Sequence, residues 1–157
     1  MYTQSEYQII KATLKNIPDI CVLERTIFTK ELQKSELESQ LNNPLFYFGL
    51  LKLRESFIGY YQMVIIEGEA ELYQIGVEEK FRGQGLGDLL IKHLLNELEK
   101  LHIRKVFLDV KSTNVIAIKF YEKYGFKRLG IRSSYYNMGE DALILERDFN
   151  GVVYKKK

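Results

Sequence analysis

With 157 residues, 46% of them hydrophobic and 28% charged, and with only 11 Gly and 2 Pro, the chain has an ordinary globular composition and the length of one domain covering residues 1–157. Disorder, collagen-like repeats and low complexity are thereby excluded. Its 23 Lys plus Arg against 21 Asp plus Glu leave a net charge of +2, without the basic excess of a dedicated nucleic-acid binder, so no nucleic-acid partner is expected.

In chain order, EYQIIKATL (residues 6–14) reads as a first strand. Pro18 then opens a helix whose apolar residues Ile20, Leu23, Ile27 and Phe28 recur at 3.6-type spacing. Ser35, with Glu38 three residues on, has the spacing of a capping box for a second short helix that Asn43-Pro44 ends. FYFGLLKL and FIGYYQMVII, joined by RES, predict a hairpin, and Glu67-Gly68 turns the chain into a further antiparallel strand, AELYQIGV. After Phe81 the period changes: Leu86, Leu90, Leu94, Leu98 and Leu101 form one stripe of a long helix, on which His93 and His102 are expected as surface or packing residues. KVFLDV is a short buried strand. Asn114 then caps the helix VIAIKFYEKY, which Gly125 ends. FKRLGI and ALILERDF are two last strands, and VVYKKK is a solvated, frayed tail.

Cys21, the one cysteine, lies in the apolar stretch IPDICVL and is expected as a packed core thiol. A lone cysteine forms no intramolecular disulfide and supplies no Cys-rich zinc site, so no metal and a reducing, cytoplasmic compartment are expected. MYTQSEYQIIK lacks the pattern of a secretion signal, and no window approaches 18 uninterrupted apolar residues, so no membrane association is expected.

The segment FRGQGLGD stands between a strand and the long helix. Its Gly83, Gly85 and Gly87 permit close backbone approach, the helix N-terminus adds partial positive charge and Arg82 a full one, which together describe a diphosphate site. It is not a nucleotide-triphosphate loop, because no Lys-Ser or Lys-Thr pair follows. Nor is it a dinucleotide fingerprint: the third glycine position is Asp88, the preceding strands form an antiparallel meander, and little chain remains for a doubly wound sheet.

The loop instead fits a Gln or Arg, two residues, Gly, one residue, then Gly or Ala, here Arg82, Gly85 and Gly87. This pattern resembles the GNAT acetyltransferase superfamily. From YQIGVEEKFRGQGLG through LDVKSTNVIAIKFYEKYGF to YYNMGEDALIL, order and spacing resemble the RimI family of protein N-terminal acetyltransferases, over roughly Glu69 to Leu145. The resemblance implies an α/β (α+β) GNAT fold: a mixed, mostly antiparallel sheet of about seven strands, about four helices, and a splayed fourth strand that forms a cofactor cleft.

It also implies acetyl-CoA as cofactor. Ile75, Gly76 and Val77 would meet the pantetheine, Arg82, Gly83, Gln84, Gly85, Leu86, Gly87 and Asp88 the pyrophosphate. The N–H near Val77 would polarise the thioester carbonyl. Gly76 is either a bulge or a weak point in its strand, and Asn114 would contact the cofactor besides capping its helix. The general base and acid fall on Asp109 and Tyr121. Asp109 stands where the family more often has Glu and reads equally as a strand-end carboxylate; Tyr121 reads otherwise as a core aromatic beside Phe120 and Tyr124. Glu71 and Tyr73 face the same cleft as substrate contacts and reserve candidates for the base, while Tyr135 and Tyr136 match a tyrosine pair that shapes the peptide groove. A peptide α-amine, with a pKa of about 8, needs only a modest base. The acceptor implied is a protein N-terminus, for example that of a ribosomal protein. A small amine (polyamine, amino acid or aminoglycoside) is the alternative, and a non-catalytic acyl-CoA-binding module a third reading. Phe28-Thr29-Lys30 departs from the Pro-Trp common in RimI proteins, which bears on the acceptor. The chain is expected as a monomer or homodimer.

Overall fold

The computed structural model describes residues 3–29, 33–133, 135 and 139–149. These form β1 (Tyr7–Lys11), α1 (Ile17–Phe28), α2 (Lys34–Asn42), β2 (Phe46–Leu53), β3 (Ser56–Ile66), β4 (Glu69–Val77), α3 (Leu86–Lys100), β5 (Lys105–Lys111), α4 (Val115–Lys123), β6 (Lys127–Arg132) and β7 (Ala142–Asp148). The strand order is β1-β2-β3-β4-β5-β7-β6. β4 and β5 run parallel, and the β1–β2, β2–β3, β5–β7 and β6–β7 pairs antiparallel. The mixed, mostly antiparallel seven-stranded sheet with four helices is the architecture expected from sequence. By contact the chain divides into two compact units, residues 1–65 with 74–97, and 66–73 with 98–157.

In the first unit, Ile17, Ile20 and Leu23 of α1 and Leu37 of α2 pack with Phe48, Leu50 and Tyr60 of the sheet, and Cys21 lies half-buried against this cluster, as expected. Pro18 sits in the first turn of α1, where its missing N–H costs nothing. The expected capping box of α2 does not form. The helix starts from Gln33 without a side-chain cap, so Ser35 and Glu38 lie inside it, exposed. Burial of Leu37, fully enclosed, sets this helix in place of its cap.

Gly49 and Tyr61 face each other across β2 and β3. A Cβ on Gly49 would overlap the Tyr61 ring, so the glycine is the space into which that ring packs, fully buried. Tyr61 stacks on Tyr47 at 5.9 Å and its hydroxyl hydrogen-bonds His93 Nδ1 at 2.9 Å. The Tyr47 O–H in turn donates to Glu97 Oε1 at 3.0 Å. His93 thus belongs to a polar chain inside the unit, a more specific role than surface or packing.

Along α3, Leu86, Leu90, Ile91, Leu94, Leu95 and Leu98 are buried. Leu101 is a correction to the expected stripe: the helix ends at Lys100, His102 adopts φ 58°, and Leu101 is 50% exposed. His102 accordingly lies beyond the helix.

In the second unit, β5 alternates cleanly: Val106, Leu108 and Val110 are buried, while Phe107 and Asp109 face the other way, half-buried. β5 pairs with β7 along its whole length but with β4 only over Glu69–Glu71. Leu72 and Tyr73 already have no partner in β5, which is the splay expected of the fourth strand. Asn114 Oδ1 accepts from the Ala117 N–H at 3.1 Å and Gly125 follows α4 at φ 88°, so both predicted ends of that helix are correct. β6 ends the strand order with Leu129 and Ile131 exposed between Lys127, Arg128 and Arg132. The Tyr136 position and the VVYKKK tail lie outside the described residues.

Candidate active site

The end of β4 is built by alternation. The Glu78 N–H donates to Ile58 O of β3 at 2.8 Å, which turns the N–H and C=O of Val77, and of Ile75 two residues earlier, to the opposite edge. Gly76 faces β3, where a Cβ on Gly59 would stand 2.7 Å from Gly76 O. Gly76 itself is required by α1: a Cβ there would come within 2.7 Å of Ile27 Cγ2 and 2.9 Å of Phe28 Cζ. Close approach, not weakness in the strand, explains this glycine.

After one 3-10 turn over Glu79–Phe81 the chain enters the glycine loop. Gly83 and Gly85 take φ 80° and 79°, left-handed values that favour glycine, and nothing lies within 4 Å of either missing Cβ. The first bond into α3 is Leu89 N–H to Gly85 O at 3.1 Å, and among the described residues the N–H groups of residues 83–87 donate to no protein acceptor. Five N–H groups without a protein acceptor thus stand at the positive end of a 15-residue helix, a set of donors that fits a diphosphate. Arg82 supports the loop as well as charging it: its Nε donates to Val77 O at 2.9 Å, leaving the terminal guanidinium nitrogens for an anion.

The second unit carries the side chains expected to handle protons. Tyr121 of α4 is half-buried, edge-on to Phe120 at 5.4 Å and Phe126 at 5.5 Å. Burial pushes its hydroxyl up to about 12, and among the described residues that hydroxyl has no hydrogen-bond partner. The parallel register sets Glu71 beside Phe107, so Glu71, Tyr73 and Asp109 share one sheet face. There Arg132 Nη1 donates to Asp109 Oδ2 at 3.4 Å, and the guanidinium lies over the Tyr135 ring at 5.3 Å. Partial burial first, and the Asp109 charge second, raise the Glu71 carboxyl above its usual range, with Arg132 opposing. Tyr73 is likewise raised by burial, then by Glu71 and Tyr135.

The expected residues divide between the two units: Ile75, Gly76, Val77 and Arg82–Asp88 lie in the first, and Glu71, Tyr73, Asp109, Asn114, Tyr121 and Tyr135 in the second. Of the latter, Glu71, Tyr73, Asp109 and Tyr135 are neighbours around Arg132, whereas Asn114 and Tyr121 stand on α4 with contacts of their own. Arg132 was missed. Its signal, one basic residue near the end of a strand, is common and points nowhere until β7 pairs with β5 on one edge and β6 on the other. Among the described residues no group of three or more His, Cys, Asp or Glu is placed to hold a metal, and no helix is long and apolar enough to cross a membrane.

Residues 17–126 match the acetyltransferase (GNAT) family. The [ribosomal protein bS18]-alanine N-acetyltransferase of Escherichia coli K12 is 39% identical over 84 residues, 52% of this chain and 57% of its own length. This chain therefore aligns with little more than half of that relative. A Bacillus subtilis protein provisionally given the same name is 29% identical over 134 residues, covering 84% of this chain and 89% of its own. The crystal structure of the ribosomal-protein-S18-alanine N-acetyltransferase from Escherichia coli superposes with a TM-score of 0.82 at 27% identity, over 90% of this chain and 93% of that one.

Proposed function

Because the chain belongs to the acetyltransferase (GNAT) family, we propose that it transfers an acetyl group from acetyl-CoA to the N-terminal α-amine of a protein, a ribosomal protein among the candidates, in the cytoplasm. The observation that carries this reading is the loop of five unengaged N–H groups around Gly83 and Gly85 at the start of α3. The Escherichia coli relative, which by its name acetylates the alanine of a ribosomal protein, supports the choice of acceptor.

When bound, acetyl-CoA supplies an activated thioester. The loop N–H groups and Arg82 would hold its diphosphate, with Asn114 a further contact, and the open edge of Ile75 and Val77 would pair with its amides. The Val77 N–H, turned to that edge, is the donor available to stabilise negative charge on the carbonyl oxygen. On the second unit a carboxylate takes the proton of the incoming ammonium, and the Tyr121 O–H donates to the departing sulfur. Tyr135 offers a wall for an extended peptide.

The Glu71–Asp109–Arg132 cluster favours this acceptor over a polyamine, since a fixed guanidinium beside the carboxylates repels a second cationic centre. The reading is tested with free N-terminal peptides, lysine peptides with blocked termini, polyamines and aminoglycosides, scored by mass spectrometry for the site of acetylation. Acetyl groups are expected on peptide α-amines beginning with small residues such as Ala or Ser. Turnover on a polyamine with none on peptide termini would replace the acceptor.

Acetyl-CoA at about 100 times its Kd should stabilise the fold by about 2.7 kcal/mol, and NAD or ATP should not. In thermal melts Arg82→Ala should need roughly tenfold or more acetyl-CoA for the same shift, having lost a charge-assisted contact worth about 1.5–3 kcal/mol. A larger shift with NAD than with acetyl-CoA would refute the cofactor.

A further inference from the structure

Two carboxylates share the polar face of the second unit, and the structure treats them differently. Asp109 is engaged: its Oδ2 accepts from Arg132, and its side chain is only 14% exposed. Its carboxylate is thereby committed to a guanidinium as counter-charge. Glu71 has neither hydrogen bond nor ion pair among the described residues, and its side chain reaches water. It also carries one methylene more than Asp109, a longer reach.

We propose, on the acetyltransferase reading above, that Glu71 is the group that binds the acceptor's ammonium and takes its proton, and that Asp109 serves as the counter-charge of Arg132. The charge count agrees. Glu71 and Asp109 contribute two negative charges and Arg132 one positive, so the cluster carries one net negative charge, matched by a single α-ammonium.

The groups facing Glu71 are Tyr73 on its own strand, Asp109 on β5 and Arg132 on β6. Asp109 discourages the Glu71 charge and Arg132 favours it, while partial burial adds to the first effect. The outcome is a stronger base than an ordinary surface carboxylate. In the transfer itself the N–H bond of the ammonium breaks toward a Glu71 carboxylate oxygen. The freed lone pair would form the N–C bond to the acetyl carbon as the C–S bond breaks; the sulfur would take the Tyr121 proton, and the second proton of the nitrogen would pass to the Tyr121 oxygen, restoring the phenol and leaving a neutral amide. The proton on Glu71 would then leave to solvent.

The test compares wild type, Glu71→Gln and Asp109→Asn by kcat/KM on an N-terminal peptide from about pH 6 to 10, read by thiol release, with thermal melts in acetyl-CoA confirming that each variant folds and binds. Glu71→Gln should lose about a hundredfold at pH 7. The deficit should shrink above about pH 8, where the α-amine is already neutral and needs no base. Asp109→Asn should lose less than about tenfold and keep the wild-type profile. A Glu71→Gln deficit that is constant with pH reduces Glu71 to positioning and overturns the assignment. So does a threefold or smaller loss in Glu71→Gln beside a large, pH-rescued loss in Asp109→Asn. Wild type that releases no thiol with any amine instead overturns the acetyltransferase reading itself.

Discussion

Replacing Tyr121 with Phe should lower kcat by about a hundredfold or more while leaving acetyl-CoA affinity nearly unchanged. The substitution deletes one hydroxyl and keeps the ring, so the edge-on contacts with Phe120 and Phe126 persist and the fold has no reason to suffer. A hundredfold corresponds to about 2.7 kcal/mol of transition-state stabilisation. Because burial holds the hydroxyl at about 12, above its ordinary value of about 10, Tyr121 stays protonated throughout the range where the amine becomes neutral. The wild-type pH–rate profile should therefore show no descending limb from this hydroxyl before about pH 11. Steady-state kinetics beside an acetyl-CoA titration separate the possibilities: a loss of threefold or less would make Tyr121 a packing residue, and a parallel loss of cofactor affinity would move its role to binding.

Gly59→Ala should be among the most destabilising single-methyl additions in the molecule. The new Cβ would stand 2.7 Å from Gly76 O and 3.2 Å from Val77 Cα. Both are backbone atoms of a paired strand and cannot rotate away as a side-chain end can. Overpacking of this kind costs about 1–3 kcal/mol or more, and at this chain length about 3 kcal/mol is roughly 6–12 °C in Tm. Because the displaced residues are Gly76 and Val77, the acetyl-CoA thermal shift should weaken as well. Gly130→Ala is the matched control, a strand glycine with nothing within 4 Å of its missing Cβ, and should change Tm by at most about 2 °C. Equal melting of the two variants would show that β4 gives way freely at this point.

The parts of the fold that could be read from sequence are those fixed by local chemistry. Asn114 and Gly125 mark the ends of α4 because a side-chain acceptor and a left-handed residue are needed there and nowhere nearby. The glycine loop was legible for the same reason, since Gly83 and Gly85 both take left-handed φ values. Local signals failed where burial outweighed them: Ser35 and Glu38 have capping spacing, but enclosing Leu37 starts the helix at Lys34. Leu101 continues an apolar period past a backbone that has already left the helix at His102. What needed the third dimension was every relation between distant segments. Gly49 and Gly59 give no hint in the sequence of the ring and the strand they accommodate. That Arg132 meets Asp109, 23 residues apart, follows only from β7 lying between β5 and β6.

The exposed end of the strand order has a consequence for how the molecules behave toward one another. An outer strand displays unpaired main-chain groups, and on β6 these accompany two solvent-facing aliphatic residues, Leu129 and Ile131, the usual makings of a seed for runaway strand addition. Two devices oppose it. The register shifts between Arg128 and Gly130, kinking the ribbon so that a straight newcomer cannot follow it. Lys127, Arg128 and Arg132 line the same ribbon, the two arginines in ion pairs with Glu122 and Asp109, so a second identical ribbon laid against it brings the same cations together. The charge part of that protection is a matter of ionic atmosphere: it is strong in dilute buffer and fades as added salt shortens the reach of the repulsion to about 3 Å near 1 M, leaving the kink as the guard that remains.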